Sequence, residues 1–209
     1  MELCGDGSYF HVGCDEAYNF ELSQENMDFI CDFLNEISAE LQAKKRRMIA
    51  WGDMFLYRHD QYNPNNRYLC NASSPEAERY LLSHLNKTIL IADWQYTAKQ
   101  APVETASVFT KAGFDCLLCS WDKGLAELDA CITTAKQATL AGIIHTTWHT
   151  LSSGTHYVLL AGVKSFESDG ALTTTSARTY SAALLRKVMP IGGDYRKAGW
   201  SKYQVSCRW

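Results

Sequence analysis

Tyr9-Phe10-His11-Val12-Gly13-Cys14-Asp15-Glu16-Ala17-Tyr18 runs from a short apolar stretch into a small residue and then into two adjacent carboxylates. This is how a buried strand ends at a polar site. Successive side chains on a strand point to opposite faces, so Asp15 and Glu16 can serve one pocket only if the chain turns there. Gly13 and Cys14 are small enough to allow that turn. Neighbouring carboxylates raise each other's proton affinity, and burial adds to the effect. One can then hold a proton while the other stays ionised, the division of labour that glycoside hydrolysis uses. The alternative is a surface acidic pair at a helix start.

Four later segments repeat the pattern of an apolar run that ends in Trp. Met48-Ile49-Ala50 leads to Trp51, with Gly52-Asp53 after it. Thr88 to Ala92 leads to Asp93-Trp94-Gln95-Tyr96. Cys116 to Cys119 leads to Ser120-Trp121-Asp122, and Ile143 to Thr147 leads to Trp148. Ser8–Gly13 and these runs are the expected strands. They are continuously apolar, as parallel strands covered on both faces are.

Helical patterns separate them. Met27, Ile30, Cys31, Leu34, Ile37 and Leu41 recur at spacings of three and four. Ser23 is the expected N-cap, and Lys44 to Arg47 complement the far end of the dipole. Ser74-Pro75 predicts a cap followed by Pro at the first helical position. Pro102 is expected to open a helix that Gly113 stops. Gly124–Ala141, about Thr155–Phe166 and Thr174–Met189 complete the set, and Pro190 to Trp209 shows no period.

Five βα units in a row predict a parallel α/β fold with right-handed crossovers. No Gly-x-Gly-x-x-Gly or Walker loop follows any strand, so a nucleotide-binding doubly wound sheet is disfavoured and no cofactor is expected. Polar and aromatic residues cluster after the strands' C-terminal ends, where (β/α)8 barrels place their active sites. The strand-end tryptophans each offer a flat face to a sugar ring. Asp53, Tyr96 and Asp122 stand beside them as hydroxyl or amide partners.

The chain's 209 residues suit one substantial core, and a single domain over 1–209 is expected, with 167–209 as C-terminal helix and tail. A net charge of −3 gives no reason to expect nucleic acid or an anionic membrane as partner. No run approaches membrane-spanning length, and Met1 to Asp6 lacks signal-peptide character, so a cytoplasmic location is expected. Cys14, Cys31, Cys116, Cys119 and Cys131 read as free thiols in a reducing compartment. Cys116 and Cys119 form a lone Cys-x-x-Cys without further ligands, and no metal site is expected.

His11-Val12-Gly13-Cys14-Asp15-Glu16 resembles the His-x-Gly-Gly-Asp-Glu motif of glycoside hydrolase family 20, the β-N-acetylhexosaminidases. Cys14 in place of the second Gly, followed by Ala17-Tyr18, looks most like the hexosaminidase D branch. Trp51-Gly52-Asp53-Met54, Ser120-Trp121-Asp122 and Thr146 to Thr150 are also similar to that branch, over roughly residues 8–165. The resemblance implies a retaining, substrate-assisted hydrolysis of terminal β-linked N-acetylglucosamine or N-acetylgalactosamine from a glycan or glycoconjugate. Glu16 would be the acid/base and Asp15 would orient the acetamido group. His11, Trp51, Asp53, Trp94, Tyr96, Trp121, Asp122 and Trp148 would bind the sugar. In the family the Asp-Glu pair ends the fourth barrel strand, so the five units here imply strands four to eight of an incomplete TIM (β/α)8 barrel. Exposed sheet edges then predict self-association or pairing with a missing N-terminal half. The alternatives are a non-catalytic carbohydrate-binding or assembly module, or a (β/α) hydrolase that uses Asp15 and Glu16 differently.

Overall fold

The computed structural model describes residues 7–17, 23–122, 124–148, 151–166 and 172–188. Tyr18, His149, Thr150 and the tail from Pro190 lie outside them. The chain divides into two compact units, 1–144 and 145–209.

The strands are β1 (Tyr9–His11), β2 (Arg47–Trp51), β3 (Leu90–Trp94), β4 (Cys116–Trp121) and β5 (Gly142–Thr146), and they form one sheet in the order β1-β2-β3-β4-β5. Pairing is parallel, with Ile49 beside Leu90 and Trp94 beside Cys119. A doubly wound sheet would reverse strand order at a switch point. Sequential order without reversal is the (β/α)-barrel pattern, and five strands make it an incomplete one. β1 is short, yet Val12 N–H still donates to Ile49 O and Trp51 N–H to Gly13 O. The ladder therefore runs on to the start of the carboxylate turn.

The helices of the first unit are α1 (Gln24–Ala43), α2 (Pro75–His84), α3 (Thr105–Lys111) and α4 (Leu125–Gln137). Ser23 caps α1 by accepting the Asn26 N–H, and Ser74 caps α2 by accepting the Ala77 N–H, with Pro75 at the first turn. Met27, Cys31, Leu34, Ser38 and Leu41 form the buried stripe of α1.

β1 and α4 are shorter than expected, the helix expected from about Thr155 begins earlier, at Leu151, and two further boundaries are set by tertiary hydrogen bonds. The helix expected from Pro102 begins at Thr105, because Val103 N–H is taken by Thr134 Oγ1 and Glu104 N–H by the Tyr68 hydroxyl. Tertiary bonds there replace the first helical turn. The strand expected over Thr88–Ala92 lies at Leu90–Trp94. The Thr88 carbonyl accepts Arg47 Nε, and its side chain joins Ser38 and Gln42. Asp93 and Trp94 thereby become strand residues with opposite orientations.

The two faces of the sheet are chemically distinct. Met48, Ala50, Ile91, Cys116 and Leu118 pack with α1–α4 residues such as Leu34, Leu81, Phe109 and Cys131 in the main core. Gly52 is required here, because a Cβ on it would meet Ile91 Cγ2 and Phe109 Cζ, both at 2.8 Å. The opposite face carries a separate cluster of Ala92, Trp94, Tyr96 and Cys119, bordered by Ile49, Trp51, Leu69, Trp121 and Ile144.

At the β1 edge, a groove of about 440 Å³ runs between Phe10 and the α1 residues Phe33, Glu36, Ile37, Glu40 and Leu41. Tyr9, Phe29 and Phe33 are exposed near that edge. Cys31, Cys116, Cys119 and Cys131 are buried free thiols, and Cys14 and Cys70 are half-buried and free.

In the second unit, α5 (Leu151–Phe166) and α6 (Thr174–Val188) pack against each other, burying Leu160, Ala161 and Ala177. Thr173 Oγ1 accepts the Ser176 N–H at the start of α6. Among the described residues, no helix is long and apolar enough to cross a membrane.

Candidate functional site

The carboxylate turn is built by backbone conformation. Gly13, Cys14 and Glu16 all have positive φ, at 79°, 73° and 50°. Left-handed conformation at a non-glycine residue costs about 1–3 kcal/mol and persists only where neighbours hold it. Gly13 N–H donates to His11 Nδ1 at 3.0 Å, Cys14 Sγ bonds the Val12 carbonyl, and Glu16 N–H donates to Asp53 Oδ2 at 3.0 Å. The chain thus turns between Gly13 and Glu16. Asp15 is half-buried and Glu16 is exposed.

His11 stands beside the turn, its ring centroid 4.4 Å from that of Trp51. Its Nδ1 accepts a hydrogen bond, so a neutral ring carries its proton on Nε2. Burial holds its pKa below the ordinary value, against an opposing pull from Asp15. Burial, followed by the charges of Asp15 and Asp53, pushes the Cys14 thiol up. It remains a thiol near neutrality and offers no thiolate nucleophile.

Asp53 begins a 3-10 turn directly after β2 and is 1% exposed. Besides the Glu16 amide, it accepts Asn71 Nδ2 at 2.7 Å and the Trp94 indole N–H at 2.8 Å. Burial raises its pKa, and these hydrogen bonds oppose the rise. Trp94 continues into an aromatic row, with ring centroids 5.1 Å to Tyr96 and a further 5.3 Å from Tyr96 to Trp121. Trp94 and Tyr96 are each 8% exposed, while Trp51 and Trp121 are half-buried. Glu127 of α4 fixes the end of β4 by accepting the Trp121 N–H at 2.6 Å.

A continuous chain of contacts therefore joins Glu16, Asp53, Trp94, Tyr96 and Trp121, with Asp15 next in sequence and His11 and Trp51 as a second contact pair. Asp122 is half-buried at the end of β4. Trp148 belongs to the second unit, where it is 57% exposed.

Three site-building residues had no place in the sequence reading. Asn71 and Glu127 hold the strand ends, and Gln95, fully buried, bonds Leu69 through both its amide N–H and its carbonyl. Their signal was weak, because each sits singly in a segment without periodicity or inside a helix pattern. Among the described residues, no group of His, Cys, Asp and Glu is placed to hold a metal ion. What remains is a pair of adjacent carboxylates at the end of a strand and a shelf of aromatic rings at the ends of the next three. Carboxylates can exchange protons with a bound molecule, and flat rings can stack on it.

The sequence matches no family model and no curated protein. Among solved structures the chain is similar to dispersin B, with a TM-score of 0.42 and 16% identity over 88% of this chain and 53% of that one. It is also similar to a family 20 exo-β-N-acetylglucosaminidase from Vibrio harveyi in complex with N-acetylglucosamine, with a TM-score of 0.44 and 14% identity. That match covers 87% of this chain and 32% of the other, so the chain spans about half and about a third of these two structures.

Proposed function

We propose that the chain carries the acid/base half of a β-N-acetylhexosaminidase site of the family 20 type, acting on a terminal β-linked N-acetylhexosamine. The observation that carries this is the left-handed turn at Gly13, Cys14 and Glu16, which presents Asp15 and Glu16 at a strand end that shares contacts with Trp51, Trp94, Tyr96 and Trp121.

In this reading Glu16, the exposed member of the pair, protonates the leaving oxygen. It then deprotonates the water that resolves the intermediate. Asp15 orients the substrate's acetamido N–H, so that the acetamido oxygen attacks the anomeric carbon in place of an enzyme nucleophile. The positive charge formed on the oxazolinium ring is stabilised by the Asp15 carboxylate. Tyr96 bonds the acetamido oxygen, and the indoles wall the sugar. No metal or cofactor takes part in this scheme.

The test is hydrolysis of an aryl N-acetyl-β-glucosaminide by the purified chain. Glu16→Gln is expected to lower the rate by about 10²- to 10⁴-fold. An unchanged rate in that variant sinks the assignment. The second reading, a carbohydrate-binding module, is favoured by the exposure of Glu16 and by the partly exposed rings of Trp51 and Trp121. Saturable N-acetylglucosamine binding without any hydrolysis would establish it instead.

A further inference from the structure

Asp53 is almost wholly buried, and both its oxygens are occupied. Oδ2 takes the Glu16 amide and the Asn71 side chain, and Oδ1 takes the Trp94 indole. All three partners are N–H groups with no lone pair to offer in return. A carboxylate accepts all three on its two oxygens, whereas a carboxamide at the same position would present an NH2 group, which cannot accept, to one of them. With these three bonds in place and only 1% of the residue exposed, a sugar hydroxyl could reach Asp53 only if the packing around it opened.

The bonds run to three separate segments: the turn after β1, the loop ahead of α2 and the end of β3. Glu16 has a left-handed backbone, which needs an external hold. The hydrogen bond that its backbone N–H donates to Asp53 Oδ2 supplies one. The same carboxylate sets the plane of the Trp94 indole, against which Tyr96 packs.

We infer that Asp53 is a positioning residue: its carboxylate locks the backbone of Glu16 and the indole wall of Trp94 into one frame and touches no substrate itself. Its effect on rate rests on the hydrolase function proposed above, whereas the locking does not. A displacement of this kind at a reacting group lowers turnover by up to about 100-fold while the substrate contacts survive.

The experiment compares the full chain with Asp53→Asn by kcat and KM on the aryl glycoside and by amide and indole resonances in ¹⁵N NMR. In the variant the Glu16 amide and the Trp94 indole are expected to move together, kcat to fall by up to about 100-fold and KM to change by less. A Glu16 or Trp94 resonance left at its original position overturns the inference, as does an unchanged kcat in an active chain. If the unaltered chain hydrolyses nothing, the proposed function fails, and the two resonances still decide the role of Asp53. If Asp53→Asn does not fold, Asn71→Ala removes one donor and leaves the carboxylate. The two resonances are again expected to shift together, and independence of either from the substitution overturns the inference.

Discussion

The two faces of the sheet are made from alternating residues of the same strands, yet they differ in what covers them. On the helix side, Ala50, Ile91, Cys116 and Leu118 are fully buried under α1–α4. On the other side, Ile49, Trp51 and Trp121 stay half-buried around Trp94 and Tyr96. The first face is closed by packing, and on the second Trp94 and Tyr96 are buried while Trp51 and Trp121 keep part of their rings exposed. The difference contrasts a sealed face with one that keeps two indoles partly exposed, and it can be broken experimentally.

The largest effect is expected on the closed face. Phe109 is fully buried against β2 and β3, so Phe109→Ala should cost about 3–5 kcal/mol through lost transfer energy and a cavity. Trp121→Ala on the open face, where the ring is half-buried, should cost about 1 kcal/mol. Urea unfolding of both variants checks this, and equal losses would erase the distinction between the faces.

A smaller effect comes from the carboxylate that points to the closed face. Asp93 is fully buried and bonded by Thr105 Oγ1 at 2.6 Å and Gln95 Nε2 at 2.8 Å. Burial pushes its pKa from the ordinary 3.8 up to about 6. The folded chain then binds this proton more tightly than the unfolded chain, so stability falls as pH rises through that window. Asp93→Asn keeps the Gln95 bond and can donate to the Thr105 hydroxyl. Above pH 6 it should be the more stable form, by at most ~3 kcal/mol, and the gap should close below pH 4. Thermal melts of the two proteins across pH 4 to 7 follow the difference, and a gap that is flat or grows toward acid contradicts it.

Much of this contrast was legible in the sequence. Period-three and period-four apolar residues located α1, and two Ser caps placed the starts of α1 and α2. The apolar runs located five strands, and the small residues before Asp15 marked the turn. What could not be read was the set of long-range hydrogen bonds. The strand read as Thr88–Ala92 lies two residues later because Arg47 and Gln42, distant in sequence, hold Thr88 outside it. Asp53 reads from the sequence as a partner for a sugar hydroxyl, because a carboxylate after Trp51 has no visible partner there. Its partners come from positions 16, 71 and 94. Strand parity shows which way a side chain points, whereas occupancy by other N–H groups depends on the assembled fold.

The open face as a sugar site is tested most directly by titrating the chain with N-acetylglucosamine while following indole ¹⁵N–¹H signals, with glucose as control. Saturable, joint shifts of the Trp51, Trp94 and Trp121 indoles are expected with N-acetylglucosamine, weakened by Asp15→Asn, and far smaller shifts with glucose. Indoles that do not respond, or that respond equally to both sugars, would contradict it.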